Sequence, residues 1–227
     1  TIKKIDPATG AGSILAGASG TSGATDATGS AARFNRPAGI THDGTHLYVT
    51  DAGNATIRRV DPSTGAVTTI AGTAGSTGST NGTGAAARFF DPAGITTDGS
   101  NLYVAERGNN TIRKVVIATA EVTTLAGIAG TPGGFVDGAG TVARFAGPMM
   151  ITTDGTNLFV ADTLNHAIRK IVIATGAVTT VMGSPETNGH ADGSLSSARA
   201  MGPFGITNTA EAVYFTDMHN SAIRKIE

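Results

Sequence analysis

Short apolar runs punctuated by Gly, Pro, Asp and Asn mark the whole chain, and one arrangement of them returns. LYVTDAGNATIRRV at 47–60 reappears as LYVAERGNNTIRKV at 102–115, LFVADTLNHAIRKI at 158–171 and VYFTDMHNSAIRKI at 213–226. The runs are short and β-branched, which predicts two strands joined by a tight Asn-bearing turn and disfavours helix. Around the first copy, residues 39–72 read as four strands, GITHD, LYVT, IRRV and AVTTIAG, with turns at DGTH, DAGNAT and DPSTG. The Ile that opens each basic strand falls at Ile2, Ile57, Ile112, Ile168 and Ile223. The chain is therefore an internal repeat with a period of 55 or 56 residues.

Side-chain parity then says how the repeats pack. Ile57 and Val60 lie three apart on one strand and point to opposite faces, while Leu47, Tyr48 and Val49 are consecutive. A sheet apolar on both faces needs cover on both, and no helix is predicted to supply it. Four-stranded sheets must stack on one another, and a ring of such sheets is a β-propeller.

The stretches Pro37–Arg59, Pro92–Lys114 and Pro148–Lys170 follow P-x-G-I-T-x-D-G-x-x-L-Y-V-x-D-x-x-N-x-x-I-R-K, each with a V-T-T strand after it. In these motifs the chain resembles the NHL-repeat family of β-propellers. Its D-G-x-G-x-x-A-R-F loops resemble bacterial secreted or surface-exposed members, which implies a place outside the cytoplasm. The expectation is one all-β domain over 1–227, with units at 18–72, 73–127, 128–183 and 184–227 plus 1–17. Four complete hairpins favour a four-bladed, monomeric ring, closed by the N-terminal strands (Ser13–Gly17) on the blade of residues 205–226. The fifth basic strand leaves a larger ring or a two-chain ring open. The chain opens on Thr rather than Met, which reads as a processed or excerpted segment.

Composition removes several function classes. Net charge is −1 with 15% charged residues, so no nucleic-acid footprint is implied. There is no cysteine, hence no disulfide or thiol nucleophile. No apolar run approaches the length of a membrane-spanning helix, so membrane insertion is not expected. Neither a Gly-x-Ser-x-Gly elbow nor a phosphate loop occurs, and no catalytic residue is assigned.

Strand alternation places the long loops 18–41, 73–96, 128–152 and 184–207 on one face with the Asn turns, and binding sites concentrate on such loops. A group repeated in every blade answers a need that every blade shares. On that ground Asp51, Glu106, Asp162 and Asp217, with Asn54, Asn109, Asn165 and Asn220, read as turn-makers rather than a Ca²⁺ ring. Asp26, Asn81, Asp137 and Asp192 read likewise. The basic pairs beginning at Arg58, Arg113, Arg169 and Arg224 read as stems packed on apolar neighbours, heads in water or on acids.

Residues that break the pattern are the binding candidates. Met149 and Met150 replace Ala38 and Gly39, Phe204 takes the matching slot, and Phe135, Leu164 and Met218 add apolar groups. A Met- and Phe-rich rim suits an adaptable binding surface. Arg107 adds a charge, and His166, His190 and His219 fall on the same face. The first reading is a non-enzymatic module that binds a protein, peptide or glycan. The second is a metal-assisted lyase or hydrolase with Zn²⁺ on His166, His190 and His219, since some NHL-like lyases bind a metal. The third is a structural segment of a larger extracellular protein or filament. No cofactor is expected on the first or third.

Overall fold

The computed structural model describes residues 1–185, 187–194 and 197–227. An N-terminal hairpin pairs β1 (Ile2–Ile5) with β2 (Gly12–Ala16). The first blade holds β3 (Pro37–His42), β4 (Leu47–Asp51), β5 (Thr56–Val60) and β6 (Val67–Ala71) in that order. Next come the short β7 (Gly82–Thr83) and a second blade of β8 (Pro92–Thr97), β9 (Asn101–Glu106), β10 (Thr111–Val116) and β11 (Glu121–Gly127). After β12 (Gly138–Ala139), the third blade is β13 (Pro148–Thr153), β14 (Asn157–Asp162), β15 (Ala167–Val172) and β16 (Ala177–Gly183). The fourth has β17 (Pro203–Asn208), β18 (Val213–Asp217) and β19 (Ala222–Ile226). All pairings within the blades are antiparallel, and the four repeats form the four blades of a β-propeller. Loop strands β7 and β12 add a fifth, outermost strand to the second and third blades, a feature the apolar pattern did not reveal.

The core lies between blades, as the two-faced pattern requires. Tyr48 and Ile57 of the first blade pack with Phe89, Leu102, Val104 and Val122 of the second. Tyr103 and Ile112 meet Phe145, Leu158, Val160 and Ile171 of the third in the same way. The first strands line the axis, where backbones approach closely: a Cβ on Gly39 would stand 2.6 Å from the Ala93 carbonyl oxygen, and one on Gly94 2.5 Å from that of Met149. Only glycine permits that approach.

Each blade is locked by a buried ion pair. Arg58, Arg113 and Arg169 are fully buried, and each donates to the equally buried carboxylate of Asp51, Glu106 or Asp162 at 2.8 Å. The same carboxylates accept the backbone N–H of Asn35, Phe90 and Ala146, sixteen residues earlier, and a side-chain N–H of Asn54, Asn109 and Asn165. A phenyl ring, Phe34, Phe89 or Phe145, lies about 5 Å from each guanidinium. These acids therefore tie the long loop to the blade rather than closing their own turns, and the arginine heads are in no contact with water. Asp26 and Asp137 are second anchors for the same arginines, at 2.6 and 2.7 Å, and Asn81 accepts from Arg113 at 2.9 Å. They bridge to the outer strand, and none of the three lies in a turn, so the turn-making expected of them is replaced by this long-range bridge.

The expected closure is not made. Among the described residues, β1 and β2 pair with each other and β19 with β18, and no pairing joins the N-terminal strands to the last blade. The inner strands pack in the order β3, β8, β13, β17. The N-terminal hairpin instead covers the first blade, Ile2 and Ala16 packing with Val49, Val60 and Val67. The physical reason is that each apolar face is satisfied by its neighbour in the chain, so the hairpin's apolar residues are taken up by the first blade. Ile223 is 79% exposed, whereas its counterparts Ile57, Ile112 and Ile168 are fully buried.

Replacing Arg113 by Ala strands Glu106 as an unpaired buried acid, and urea unfolding should show a loss of about 3–5 kcal/mol. Arg224→Ala should cost less than half as much, because that side chain is partly exposed and Ala200 replaces the ring beside it. Equal losses at the two positions would contradict burial as the source of the cost.

Candidate functional site

The turns between the second and third strands all end in a left-handed residue, Ala55, Asn110, His166 and Ser221, at φ between +53° and +57°, and in the first, third and fourth blades the turn is a single 3-10 turn. The apolar spacing did not reveal these helical turns, because three residues show no period. The turns of the second and third blades stand beside the start of the next blade's first strand. Asn110 accepts the N–H of Gly147 at 2.9 Å, and Nδ1 of His166 accepts that of Gly202 at 3.0 Å. Thr163 donates to the Pro203 carbonyl at 2.6 Å. The long-loop face is thus stitched blade to blade at the rim of the axis.

At this rim the repeats differ in bulk. The residue after each rim proline is Ala38, Ala93, Met149 and Phe204 in turn, and the turn position beside it runs Gly53, Gly108, Leu164 and His219. Small groups in the first two blades give way to large ones in the last two. They enclose a cavity of about 520 Å³ lined by Arg107, Asn110, Gly147, Met149, Thr163, Leu164, Phe204, Met218 and His219. Leu164 is 68% exposed and Met218 about half, so the wall is apolar and open to solvent. The charge at its edge belongs to Arg107, which pairs with Asp91, itself shared with Arg36 at 3.2 Å.

Six of the ten candidates, Arg107, Met149, Leu164, Phe204, Met218 and His219, therefore share one cavity. The other four lie elsewhere. Phe135 is stacked 4.8 Å from Arg169, so that guanidinium sits between Phe135 and Phe145. Met150 takes the hub position where Gly94 presses on the third blade. His166 is spent on the Gly202 bond, and His190 is exposed in the long loop. Among the described residues no three His, Asp or Glu side chains come together as a metal site, so His166, His190 and His219 do not form the arrangement that the zinc reading needs. Asn110 and Thr163 were missed; their departure from Ala55 and Ala52 in the first repeat was the available signal.

Burial and the nearby His219 hold the His166 imidazole below its ordinary range, against the pull of Asp217. Its Nδ1 is an acceptor and must stay unprotonated. Burial likewise pushes Asp162 up to about 6, opposed by Arg169, so its carboxylate is charged at neutral pH. Asp51 and Glu106 are raised for the same reason.

No protein-family model matches the chain. NHL repeat-containing protein 2 of Bos taurus is 34% identical to it over 144 residues, 58% of this chain and 19% of that protein. The human protein of the same name is 29% identical over 154 residues, 62% of this chain and 21% of its own length. In its repeat motif the chain is similar to these NHL-repeat proteins, and its fold is a four-bladed β-propeller. It spans about a fifth of the length of the curated relatives it matches. Among solved structures, an auxiliary nutrient binding protein from Bacteroides thetaiotaomicron superposes with a TM-score of 0.65 at 23% identity, over 83% of this chain and 47% of that one. Its counterpart from Bacteroides ovatus gives 0.68 at 22%, over 91% and 55%. At such identities the likeness shows a shared fold. Among the described residues, no helix is long and apolar enough to cross a membrane.

His166→Ala removes the acceptor for Gly202 and should lower stability by about 1 kcal/mol at pH 7.5. A group with a depressed folded pKa contributes stability above its unfolded value of about 6.5, and that contribution fades as pH falls. The gap in Tm between wild type and variant should therefore shrink by pH 5; a gap that widens would contradict the assigned acceptor.

Proposed function

We propose that this propeller is a non-enzymatic binding module, and that its ligand occupies the cavity between the Met149–Phe204 rim and the Leu164 and His219 turns. One observation carries the reading: residues that break the repeat, scattered through the sequence from 107 to 219, converge on one wall. A demand for folding alone would fill equivalent positions alike in every blade, as it does for the arginine clamp. The cavity is of the size that holds a small ligand or a few residues of peptide. Its chemistry suits a peptide or protein segment that presents an apolar side chain beside an acidic group, the first on Met149, Phe204 and Met218, the second toward Arg107. Methionine and leucine adapt to more than one shape, which fits a binder of related segments rather than of one rigid molecule. The names of the two Bacteroides neighbours, both auxiliary nutrient binding proteins, support a ligand-binding role and a place at the bacterial surface.

The probe is 1-anilinonaphthalene-8-sulfonate, an aromatic body with one anionic group. Wild type should raise its fluorescence saturably, and the triple variant Met149→Ala, Phe204→Ala, Met218→Ala should bind at least about tenfold more weakly while its Tm stays unchanged. An Ile223→Lys control removes the exposed apolar group at the end of the series and should leave the signal as it was. Identical isotherms for wild type and triple variant would dispose of the cavity as the site.

A further inference from the structure

In the first and third blades a carboxylate bridges the clamp arginine to the fourth strand. One oxygen of Asp26 accepts from Arg58 at 2.6 Å and from the Thr69 hydroxyl at 3.1 Å, and the other accepts the Thr69 N–H at 2.9 Å. Asp137 does the same: its first oxygen takes Arg169 at 2.7 Å and the Thr180 hydroxyl at 3.0 Å, its second the Thr180 N–H at 3.0 Å. The second blade puts Asn81 in that place. Its Oδ1 accepts from Arg113 at 2.9 Å and from the Thr124 hydroxyl at 3.2 Å. The remaining head atom is then Nδ2, where the acids present the oxygen that takes the strand N–H. An amide nitrogen cannot accept, and among the described residues no bond joins the Thr124 N–H to Asn81.

Three further features surround this mismatch. Gly82 follows Asn81, so no side chain stands between its backbone nitrogen and the Asn81 carboxamide. Asn81 is exposed, so water reaches it. The Arg113 guanidinium, buried and fixed by Glu106 at 2.8 Å, draws electrons from the Cγ–Oδ1 bond that it holds.

We infer that Asn81 is a self-modification site, deamidated to aspartate without an enzyme. The Gly82 nitrogen bonds to Cγ, its proton passes to solvent, and the Cγ–Nδ2 bond breaks to release ammonia, leaving a succinimide. Water then adds to Cγ, the carbonyl that Arg113 polarises, and the bond from Cγ to the Gly82 nitrogen breaks. The sum is carboxamide plus water giving carboxylate plus ammonium, with no other reactant. Opening at Cγ restores the ordinary backbone, and the new oxygen stands where the Thr124 N–H points. The second blade thereby acquires the ion pair and the strand bond that the first and third carry from the start. This site is separate from the rim cavity and does not depend on it.

The test holds the 227-residue chain in mildly alkaline buffer and maps the tryptic fragment 60–88, which contains no other Asn. Position 81 should gain about 1 Da with time, and the product should be mainly α-linked aspartate, unlabelled by isoaspartyl methyltransferase. The same fragment as a free synthetic peptide, which lacks Arg113, should give mainly isoaspartate. The variant Asn81→Asp should melt about 2–4 °C above unconverted wild type. Asn81 still intact when the free peptide has converted, or an isoaspartyl share in the folded chain equal to that of the peptide, overturns the proposal. An unchanged or lower Tm in the variant overturns the completed bridge.

Discussion

A charged arginine inside a blade is the constraint from which the rest of this propeller follows. An ion taken out of water is tolerated when its counter-ion and most of its donors are matched. Arg58, Arg113 and Arg169 meet that demand in one way each time, through the two terminal nitrogens, while each buried Nε has no partner among the described residues. They draw a carboxylate from the preceding strand, a carbonyl from the loop before it, and a second acceptor from further up the same loop. Loops of about twenty residues, which composition alone marks as pliable, are thereby fastened to the sheet at two points. A rigid loop face is the precondition for any site on it.

The clamp also explains why one blade differs. In the fourth repeat Ala200 stands where the other three carry a phenyl ring, so Arg224 keeps its acids without that cover. Symmetry that is complete in three places and broken in one makes the break readable. The same logic applies at the rim, where Ala38 and Ala93 keep the first half of the hub slim and Met149 and Phe204 fill the second. The departure at the rim encloses a cavity for a side chain and leaves the ion pairs that hold the blades undisturbed.

Much of the fold was legible in the chain because a short period with two-faced apolar strands admits few packings. The four hairpins, the stacking of sheets and the sharing of one face by long loops and Asn turns all followed from parity and spacing. The roles of Asp26 and Asp137 did not, since an Asp before Ala or Gly looks like any turn residue until its partner arginine, thirty-two residues away, is seen beside it. Phe135 looked like an exposed binding group for the same reason: nothing local says that a guanidinium lies against it.

The sequence by itself determined the repeat, its strands and the residues that depart from it, because local spacing and polarity carry that information. Only the tertiary structure decided which departures meet. It brought Arg107, Met149, Leu164, Phe204, Met218 and His219 to one wall and left Phe135, Met150, His166 and His190 out. It also decided that, among the described residues, the N-terminal strands do not pair with the last blade, since that meeting depends on the angles accumulated at three interfaces, and no residue encodes that sum locally.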